Sequence, residues 1–323
     1  MTPDPTLSAL SDHLFSISVA LYSVAVLAFC AQLAFGRRTT SVPEPELVAA
    51  GGAPLPPHAP GEVAPEPASS RRWGRLGVAV TALGALTHVG VLVARGMSVG
   101  RLPWGNMYEF ATAMVLVAVV AFLILAVRMP AVRHLGAFVL GPAVLAMVLV
   151  GLFLYTDAGP LVAALRSSWL AVHVTAAITG FGIFFVSSIA SIAYLVRTRY
   201  DARLAAGEAS NDSTIGRLPS AATLDRVAHR TAVFGFPIWT FAVIAGAIWA
   251  ESAWGRFWGW DPKETWAFIA WVVYAAYLHA RTTAGWRGRP AAWVNVTGLV
   301  VMVFNLLYVN MVSTGLHSYA GLK

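Results

Sequence analysis

A tryptophan-rich segment, residues 254–266, has the composition of a binding surface. It reads Trp-Gly-Arg-Phe-Trp-Gly-Trp-Asp-Pro-Lys-Glu-Thr-Trp, with four tryptophans, one phenylalanine and two glycines in thirteen residues. Tryptophan is ordinary at a membrane interface, because its amphipathic ring suits the headgroup level. Four tryptophans with glycine spacers exceed what such an anchor needs. The segment therefore predicts a flat aromatic platform for a large planar ligand, made by Trp254, Trp258 and Trp260.

Two histidines flank this segment in the sequence and could ligate a metal. His173 lies near the start of an apolar run, and His317 follows the end of the last one. A hydrogen-bonded polar residue is the commoner role for either histidine alone. Two imidazoles and an aromatic platform at one depth are what a bis-histidine haem site requires. The pair therefore favours haem ligation, provided that the fold brings both to the same end.

Composition indicates a membrane protein. Hydrophobic residues make up 58% of the 323 residues and charged residues 11%, and the mean hydropathy is +0.68. A spanning helix needs about 20 apolar residues, and strands would show a period-two alternation that is missing here. We predict an all-α, polytopic membrane helix bundle with about eight transmembrane helices. The apolar runs lie near 13–35, 74–94, 107–127, 135–155, 169–196, 230–250, 264–281 and 291–312.

The basic residues predict the orientation. Of the 22 lysines and arginines, sixteen fall in segments on one side of the predicted bundle and six on the other. The positive-inside rule then places both termini, the tryptophan-rich segment, His173 and His317 on the extracytoplasmic side of the cell membrane. The net charge of +7 follows from this bias, and no basic motif points to nucleic acid.

Three regions follow from this pattern. Residues 1–36 form a retained N-terminal transmembrane helix, residues 37–72 a disordered, proline-rich cytoplasmic linker, and residues 73–323 a seven-helix membrane domain. A second polar segment, near 197–229, predicts a surface loop with a short amphipathic helix.

The single cysteine, Cys30, cannot form an internal disulfide or a redox pair, so thiol chemistry must come from another protein.

The charged residues of the tryptophan-rich segment have structural as well as functional interpretations. Asp261, Pro262 and Glu264 have the spacing of a helix N-cap, a first helical residue and a capping box. Asn106 and Glu109 repeat that pattern at the start of the third helix. Arg256 could pair with haem propionates, as could Lys263 and Arg101, although exposed basic residues are common.

A third histidine, His279, lies too deep to share an iron with the first two. It is 17 residues after Pro262, roughly 25 Å along the predicted helix at 1.5 Å per residue. An ionisable residue in a membrane helix is a functional hypothesis by default. If His279 binds haem, that site is a second one and its other ligand is missing at this depth. His88 is a poor partner, because it lies roughly 20 Å up the second helix from the cytoplasmic side. A hydrogen-bonded intramembrane histidine explains His88 equally well.

These residues resemble the WWD signature of haem-handling proteins in cytochrome c biogenesis. The heart of the match is Trp258-Gly259-Trp260-Asp261-Pro262-Lys263-Glu264-Thr265-Trp266, with Pro103–Glu109 as a second similar segment. The length, eight helices and flanking histidines resemble the CcsA/ResC family of System II, whose actinobacterial members are often labelled CcsB. The resemblance covers roughly residues 74–323. The CcmC and CcmF proteins of System I share the loop, but their lengths and helix counts fit less well.

The resemblance implies a haem lyase component, a holocytochrome c synthase active in complex with a CcsB/ResB-type membrane subunit. His173 and His317 would ligate haem b outside, and His279 would share a second haem with that subunit. The chain would present haem to the Cys-x-x-Cys-His of apocytochrome c, whose thiols a thioredoxin-like reductant keeps reduced; it would position haem rather than offer a catalytic group. Alternatives are a haem exporter, a b-type electron-transfer subunit, which usually stacks two histidines on one helix, and a transporter, which needs internal repeats.

Overall fold

The computed structural model describes residues 3–35, 66–161, 165–210 and 213–317, and within them the chain is helical without strands. The all-α prediction is confirmed. The α-helices of the described residues are α1 (Pro5–Ala34), α2 (Ala68–Val99), α3 (Met107–Arg128), α4 (Gly136–Leu149), α5 (Ser168–Ala205), α6 (Ala221–Trp254), α7 (Pro262–Thr282) and α8 (Arg289–Met311). A 3-10 turn, Pro130–Leu135, leads into α4, and a π-helical turn, Val150–Leu154, ends it.

Length and composition fit a membrane-spanning bundle. Among the described residues, seven helical segments are long and apolar enough to cross a membrane, namely α1, α2, α3, the segment around α4, α5, α6 and α8. The remaining helix, α7, has 21 residues but begins with Lys263 and Glu264 and is less apolar. Its end nevertheless reaches the first turns of α6, where Arg281 pairs with Asp225, with a 2.9 Å contact between Nη2 and Oδ2. The protein is therefore a multi-pass membrane protein.

Successive helices run antiparallel, so alternate helix ends meet at one end of the bundle. The start of α1 meets the end of α2 where the Asp4 amide donates to the Ser98 carbonyl at 2.9 Å. The start of α7 meets the end of α8 where Lys263 Nζ donates to the Asn305 carbonyl at 3.2 Å. We call this end, which holds the starts of α1, α3, α5 and α7, the site end of the bundle.

Two apolar clusters form the core, and α5 contributes to both. The first contains buried residues from each of the helices α1 to α6, and the second contains buried residues from α3 and from each of α5 to α8. A buried polar network fixes α8 against α5: the Asn295 side-chain amide donates to the hydroxyls of Ser187 at 2.9 Å and Ser191 at 2.8 Å. The satisfied amide avoids the cost of burying an unpaired polar group and holds the two helices in one register.

The structure shifts two predicted boundaries. Helix α2 begins at Ala68, so residues 68–72 of the predicted linker are helical, while residues 37–65 lie outside the described residues. Helix α5 continues to Ala205, well into the predicted polar loop, and the described part of that loop contains a 3-10 turn, Thr214–Arg217, rather than an amphipathic α-helix. Within this polar extension of α5, Arg197 bonds to Asp201 one turn on, at 2.8 Å.

Candidate functional site

His173 lies in the second turn of α5 and packs closely against α6. Its Nδ1 is 2.8 Å from the carbonyl oxygen of Ala242. A carbonyl only accepts, so Nδ1 carries the proton and Nε2 carries the lone pair. Gly246 makes this approach possible, since a Cβ there would lie 2.7 Å from His173 Cε1. The α5–α6 contact therefore fixes both the position and the tautomer of the imidazole.

His317 reaches the same end of the bundle from the segment that follows α8. Its Nδ1 lies 2.7 Å from Asp261 Oδ1, and the Leu316 amide donates to Asp261 Oδ2 at 2.8 Å. Gly315 allows the segment to lie on the carboxylate, because a Cβ there would lie 2.5 Å from Asp261 Oδ2. One carboxylate thus anchors both the backbone and the ring of this segment.

Asp261 also starts α7, as its spacing predicted. It is the N-cap and accepts from the Lys263 amide at 3.0 Å, while Glu264 closes the capping box by accepting from the Asp261 amide at 3.1 Å. Burial alone would raise the pKa of the Asp261 carboxyl, but the hydrogen bond and charge of His317 and the two amide donors bring that pKa down to about 2. The group is a carboxylate at neutral pH and a strong acceptor for the His317 ring.

Two tryptophans join the imidazoles into one aromatic cluster. The Trp249 ring stacks on His173, with centroids 5.8 Å apart and planes 8° apart, and contacts His317 at 5.7 Å. Trp254 contacts His317 at 4.9 Å and Trp249 at 4.8 Å. The structure thus brings together His173, His317 and Trp254, as predicted. Trp249 was not predicted, because it lies inside an apolar run without a distinctive neighbour.

The other two predicted platform tryptophans are arranged differently. Trp258 lines the same cavity as the histidines, but Trp260 is 65% exposed and packs at 90° to Trp258. Trp260 has a φ of 57°, and Gly255 a φ of 70°, and these left-handed residues turn the chain sharply. The segment is therefore a folded aromatic loop rather than one flat platform.

The basic residues proposed for haem propionates already have protein partners. Arg256 Nη1 lies 3.2 Å from Glu264 Oε1, with the arginine side chain 31% exposed. Arg101 Nη1 lies 2.8 Å from the buried Glu109 Oε2. Lys263 donates to Asn305 and lines both cavities beside the histidines. Of the three, Lys263 is the one that lines these cavities.

The segment between α2 and α3 forms a second wall of the site. Trp104 and Asn106 line a cavity together with His173 and His317. Glu109 fixes this segment, since it accepts from the Gly105 amide at 2.7 Å and pairs with the buried Arg95 at 3.3 Å. Asn106 caps α3 by accepting from the Glu109 amide at 2.9 Å, as predicted. The Asn-x-x-Glu spacing pointed to a cap and not to a site, and the family resemblance of Pro103–Glu109 was the signal that marked this segment.

Two further histidines of the described residues, His279 and His88, lie away from this cluster. His279 is near the far end of α7, on its exposed face. His88 is fully buried in α2, with Nδ1 3.2 Å from the Tyr22 hydroxyl. His88 therefore has a local structural partner, and the structure does not bring it to the other histidines.

Comparisons with known proteins agree with the geometry. A family model described as Cytochrome C assembly protein matches residues 104–317. The chain is 34% identical over 296 residues to the cytochrome c biogenesis protein CcsA of Gloeobacter violaceus, covering 77% of this chain and 87% of that protein. It is 36% identical over 286 residues to CcsA of Synechococcus elongatus, covering 76% and 87%.

A solved structure shares the fold. The cytochrome c heme lyase CcmF superposes with a TM-score of 0.62 at 16% identity, covering 93% of this chain. This chain spans 46% of that protein, so the likeness speaks for the helical architecture. We expected the System I proteins to fit less well in length and helix count, and this difference does not extend to the fold.

An antiparallel membrane bundle with paired histidines and a folded tryptophan loop at one end defines a class, the multi-pass membrane proteins that assemble c-type cytochromes. The chain belongs to the cytochrome c assembly protein family, and within it to the CcsA proteins. Its role is in cytochrome c biogenesis, a process that implies apocytochrome c and other assembly components.

Proposed function

We propose that the chain binds haem between His173 and His317 and presents it for covalent attachment to apocytochrome c. The observation that carries this proposal is the pair of Nδ1 anchors, to Ala242 and to Asp261, around one aromatic cavity. Such acceptors orient a metal-ligating imidazole, fix its tautomer and raise its basicity. Nε2 of each ring is then the nitrogen that would bind iron.

The chain's share of the reaction is positioning. The aromatic rings of Trp249, Trp254 and Trp258 cover the apolar faces of the substrate, haem b, and exclude water. The Cys-x-x-Cys-His of apocytochrome c supplies the thiols for the thioether bonds, kept reduced by a thioredoxin-like protein. Cys30 lies in the last turns of α1, away from the site end. Haem lyase activity is then a property of the assembled complex.

The site end is proposed to face outward. By the sequence, sixteen of the 22 basic residues fall in segments assigned to the opposite end, and the positive-inside rule places that end in the cytoplasm of a cell membrane. Asp4 and His317, which lie near the two ends of the described residues, are both at the site end, and we propose that both termini are outside. Apocytochrome c would then meet the site after its own export.

His279 is proposed to serve a second haem-binding step together with a CcsB/ResB-type subunit. The residue lies on the exposed face of α7, where a membrane helix of another protein can approach. A histidine of that subunit would provide the second ligand. Haem would then enter near the cytoplasmic side and reach the outer site afterwards.

Holocytochrome yield tests the proposal. We expect His173→Ala and His317→Ala, each expressed with the partner subunit and apocytochrome c, to abolish holocytochrome formation. Added imidazole, which fits the space of the deleted ring, should restore part of it. The matched control is His134→Ala, in the 3-10 turn at the opposite end. Normal yield in both site variants would show that these histidines are structural.

The electron-transfer alternative is disfavoured by the arrangement of histidines. Each described helix that contains a histidine contains one, whereas a two-haem b-type subunit usually stacks two on a helix. The holocytochrome yield separates the two functions. An electron carrier would bind haem without attaching it to apocytochrome c, so replacing His173 or His317 in it would leave the holocytochrome yield unchanged.

A further inference from the structure

Lys263 is held beside one of the two proposed iron ligands. Its backbone amide donates to Asp261 Oδ1 at 3.0 Å, and the same oxygen lies 2.7 Å from His317 Nδ1. Lys263 also lines both cavities that are lined by His173 and His317. A positive charge therefore borders the space in which haem would meet the two imidazoles.

The ammonium group of Lys263 forms no ion pair within the part of the chain that the structure describes. Its Nζ makes one hydrogen bond there, to the neutral carbonyl oxygen of Asn305 at 3.2 Å. An ammonium has three donors, so two remain for a ligand. The carboxylates on either side in the sequence, Asp261 and Glu264, already accept from other groups. The charge of Lys263 is therefore one that an anionic group of the substrate can neutralise at close range.

The cavity that Trp104 and Asn106 line suits a carboxylate at this point. Among the described residues that line it, Lys263 is the one with a formal charge apart from the two histidines, and Asn310 adds a side-chain amide. Most of the other lining side chains are apolar or aromatic. An ion pair in such surroundings is stronger than in water, because the local dielectric constant is lower. One cation among apolar walls matches haem, which has an apolar periphery apart from its two propionates.

Axial ligation alone leaves one rotation of haem undetermined. Two imidazoles fix the iron and the plane of the macrocycle, but the macrocycle can still turn about the axis that joins the two ligating nitrogens. Formation of two thioether bonds requires that each vinyl group meets its own cysteine. The vinyl groups lie on the half of the macrocycle opposite the propionates, so a contact that holds a propionate also directs the vinyl groups.

We propose that Lys263 binds a propionate of haem and thereby sets the rotation of the macrocycle in the outer site. This inference rests on the proposed function, because it takes His173 and His317 as the iron ligands. Charge-assisted hydrogen bonds are roughly twice as strong as neutral ones. The vinyl half of haem then points away from the start of α7, where the cysteines of apocytochrome c can reach it.

The test compares haem with haem dimethyl ester, in which both propionates are uncharged. Each is titrated into the full-length chain in lipid nanodiscs, and the Soret band gives the dissociation constants for wild type, Lys263→Met and Lys263→Arg. The double variant His173→Ala/His317→Ala subtracts porphyrin bound elsewhere. The ratio of the two constants is compared between variants, which cancels the different partition of haem and ester into the bilayer. Lys263→Gln keeps a donor for the Asn305 carbonyl if Lys263→Met does not fold.

Arg166→Met is the matched control. Arg166 also precedes or starts a helix at the site end and also donates to a neutral carbonyl, that of Leu161 at 3.1 Å, but it lines neither cavity of the histidines. Its removal subtracts one positive charge from the same end of the bundle without touching the proposed contact.

We expect the preference for haem over the ester to fall at least about tenfold in Lys263→Met, the loss typical of a hydrogen bond to a charged group. Lys263→Arg and Arg166→Met should keep most of the preference, and all four proteins should keep a bis-histidine spectrum. An unchanged preference in Lys263→Met would overturn the propionate contact while leaving His173 and His317 as ligands. An equal loss in Arg166→Met would also overturn it, because any positive charge at this end would then suffice. If wild type and the double-histidine variant bind haem identically, the proposed function itself fails.

Discussion

A histidine lies at each end of α7, and the two are held in different ways: His317 contacts the start of α7, and His279 is part of α7 near its end. At its start, Asp261 binds the ring of His317 at 2.7 Å, and Trp254 packs against that ring at 4.9 Å. Near its end, His279 lies on the exposed face, and within the part of the chain that the structure describes its ring forms no hydrogen bond. The backbone carbonyl of His279 instead accepts from Thr282 and Thr283, which close the helix.

In our proposal, the start of α7 belongs to a site built within one chain, and its end belongs to a position that a second protein completes. An anchored imidazole has a fixed tautomer and loses little freedom on binding a metal. An exposed, unanchored imidazole gains its orientation from whatever packs against it. We therefore expect changes at the start of α7 to alter intrinsic haem affinity, and changes at its end to alter haem supply.

The largest expected effect is at the His279 end. His279→Ala should remove most of the haem from the whole complex, including the outer site, because supply passes through this position. Haem per complex and protein abundance are measured together. His229→Ala is the control, since His229 lies at the same end on α6, with its ring 6.4 Å from Tyr277. An abundant, fully loaded His279→Ala complex would remove the proposed second step.

At the other end, Asp261→Asn should weaken haem binding without blocking supply. Asparagine still caps α7 and still accepts a hydrogen bond, but it removes the charge that raises the basicity of the His317 ring. Loss of such a metal-ligand anchor costs about 10- to 100-fold in affinity. Titration of the purified complex with haem measures this change. An unchanged affinity would mean that the contact between Asp261 and His317 serves only the fold.

Gly246→Ala should displace His173 while leaving the residue itself in place. The added methyl would lie 2.7 Å from the ring, and overpacking of this kind costs about 1–3 kcal/mol. We expect lower thermal stability together with a weaker haem spectrum. Gly141→Ala is the control, since a Cβ there has nothing within 4 Å. If both variants behave alike, His173 does not depend on this close contact.

The smallest expected effect is on acid stability. The pKa of Asp261 is lowered in the folded protein from an ordinary value of 3.8 to about 2, so the stabilisation is complete above the ordinary value and is lost as the pH falls through about 2. The difference in unfolding temperature between wild type and Asp261→Asn should be constant at neutral pH and shrink on that acid limb. A difference that instead disappears near neutral pH would assign the stabilisation to another group.

The sequence predicted the helices and the meeting of His173 with His317, because apolar runs and antiparallel order determine which helix ends share a side. It also predicted the caps at Asn106 and Asp261, which depend on neighbouring residues. It missed Trp249 and the contact between Asp261 and His317, since 56 residues separate that pair and no local pattern encodes it. The prediction of a flat aromatic platform was wrong. Trp260 has a left-handed φ, which turns the loop, and this conformation arises only in the folded loop.

The most direct test of the account is the ligation state of the outer haem. The spectrum of that haem is the difference between the wild-type complex and His173→Ala/His317→Ala. We predict a six-coordinate, low-spin spectrum that becomes high-spin or disappears in either single variant and returns to low-spin when imidazole is added. A low-spin spectrum that persists unchanged in both single variants would show that other residues hold the iron.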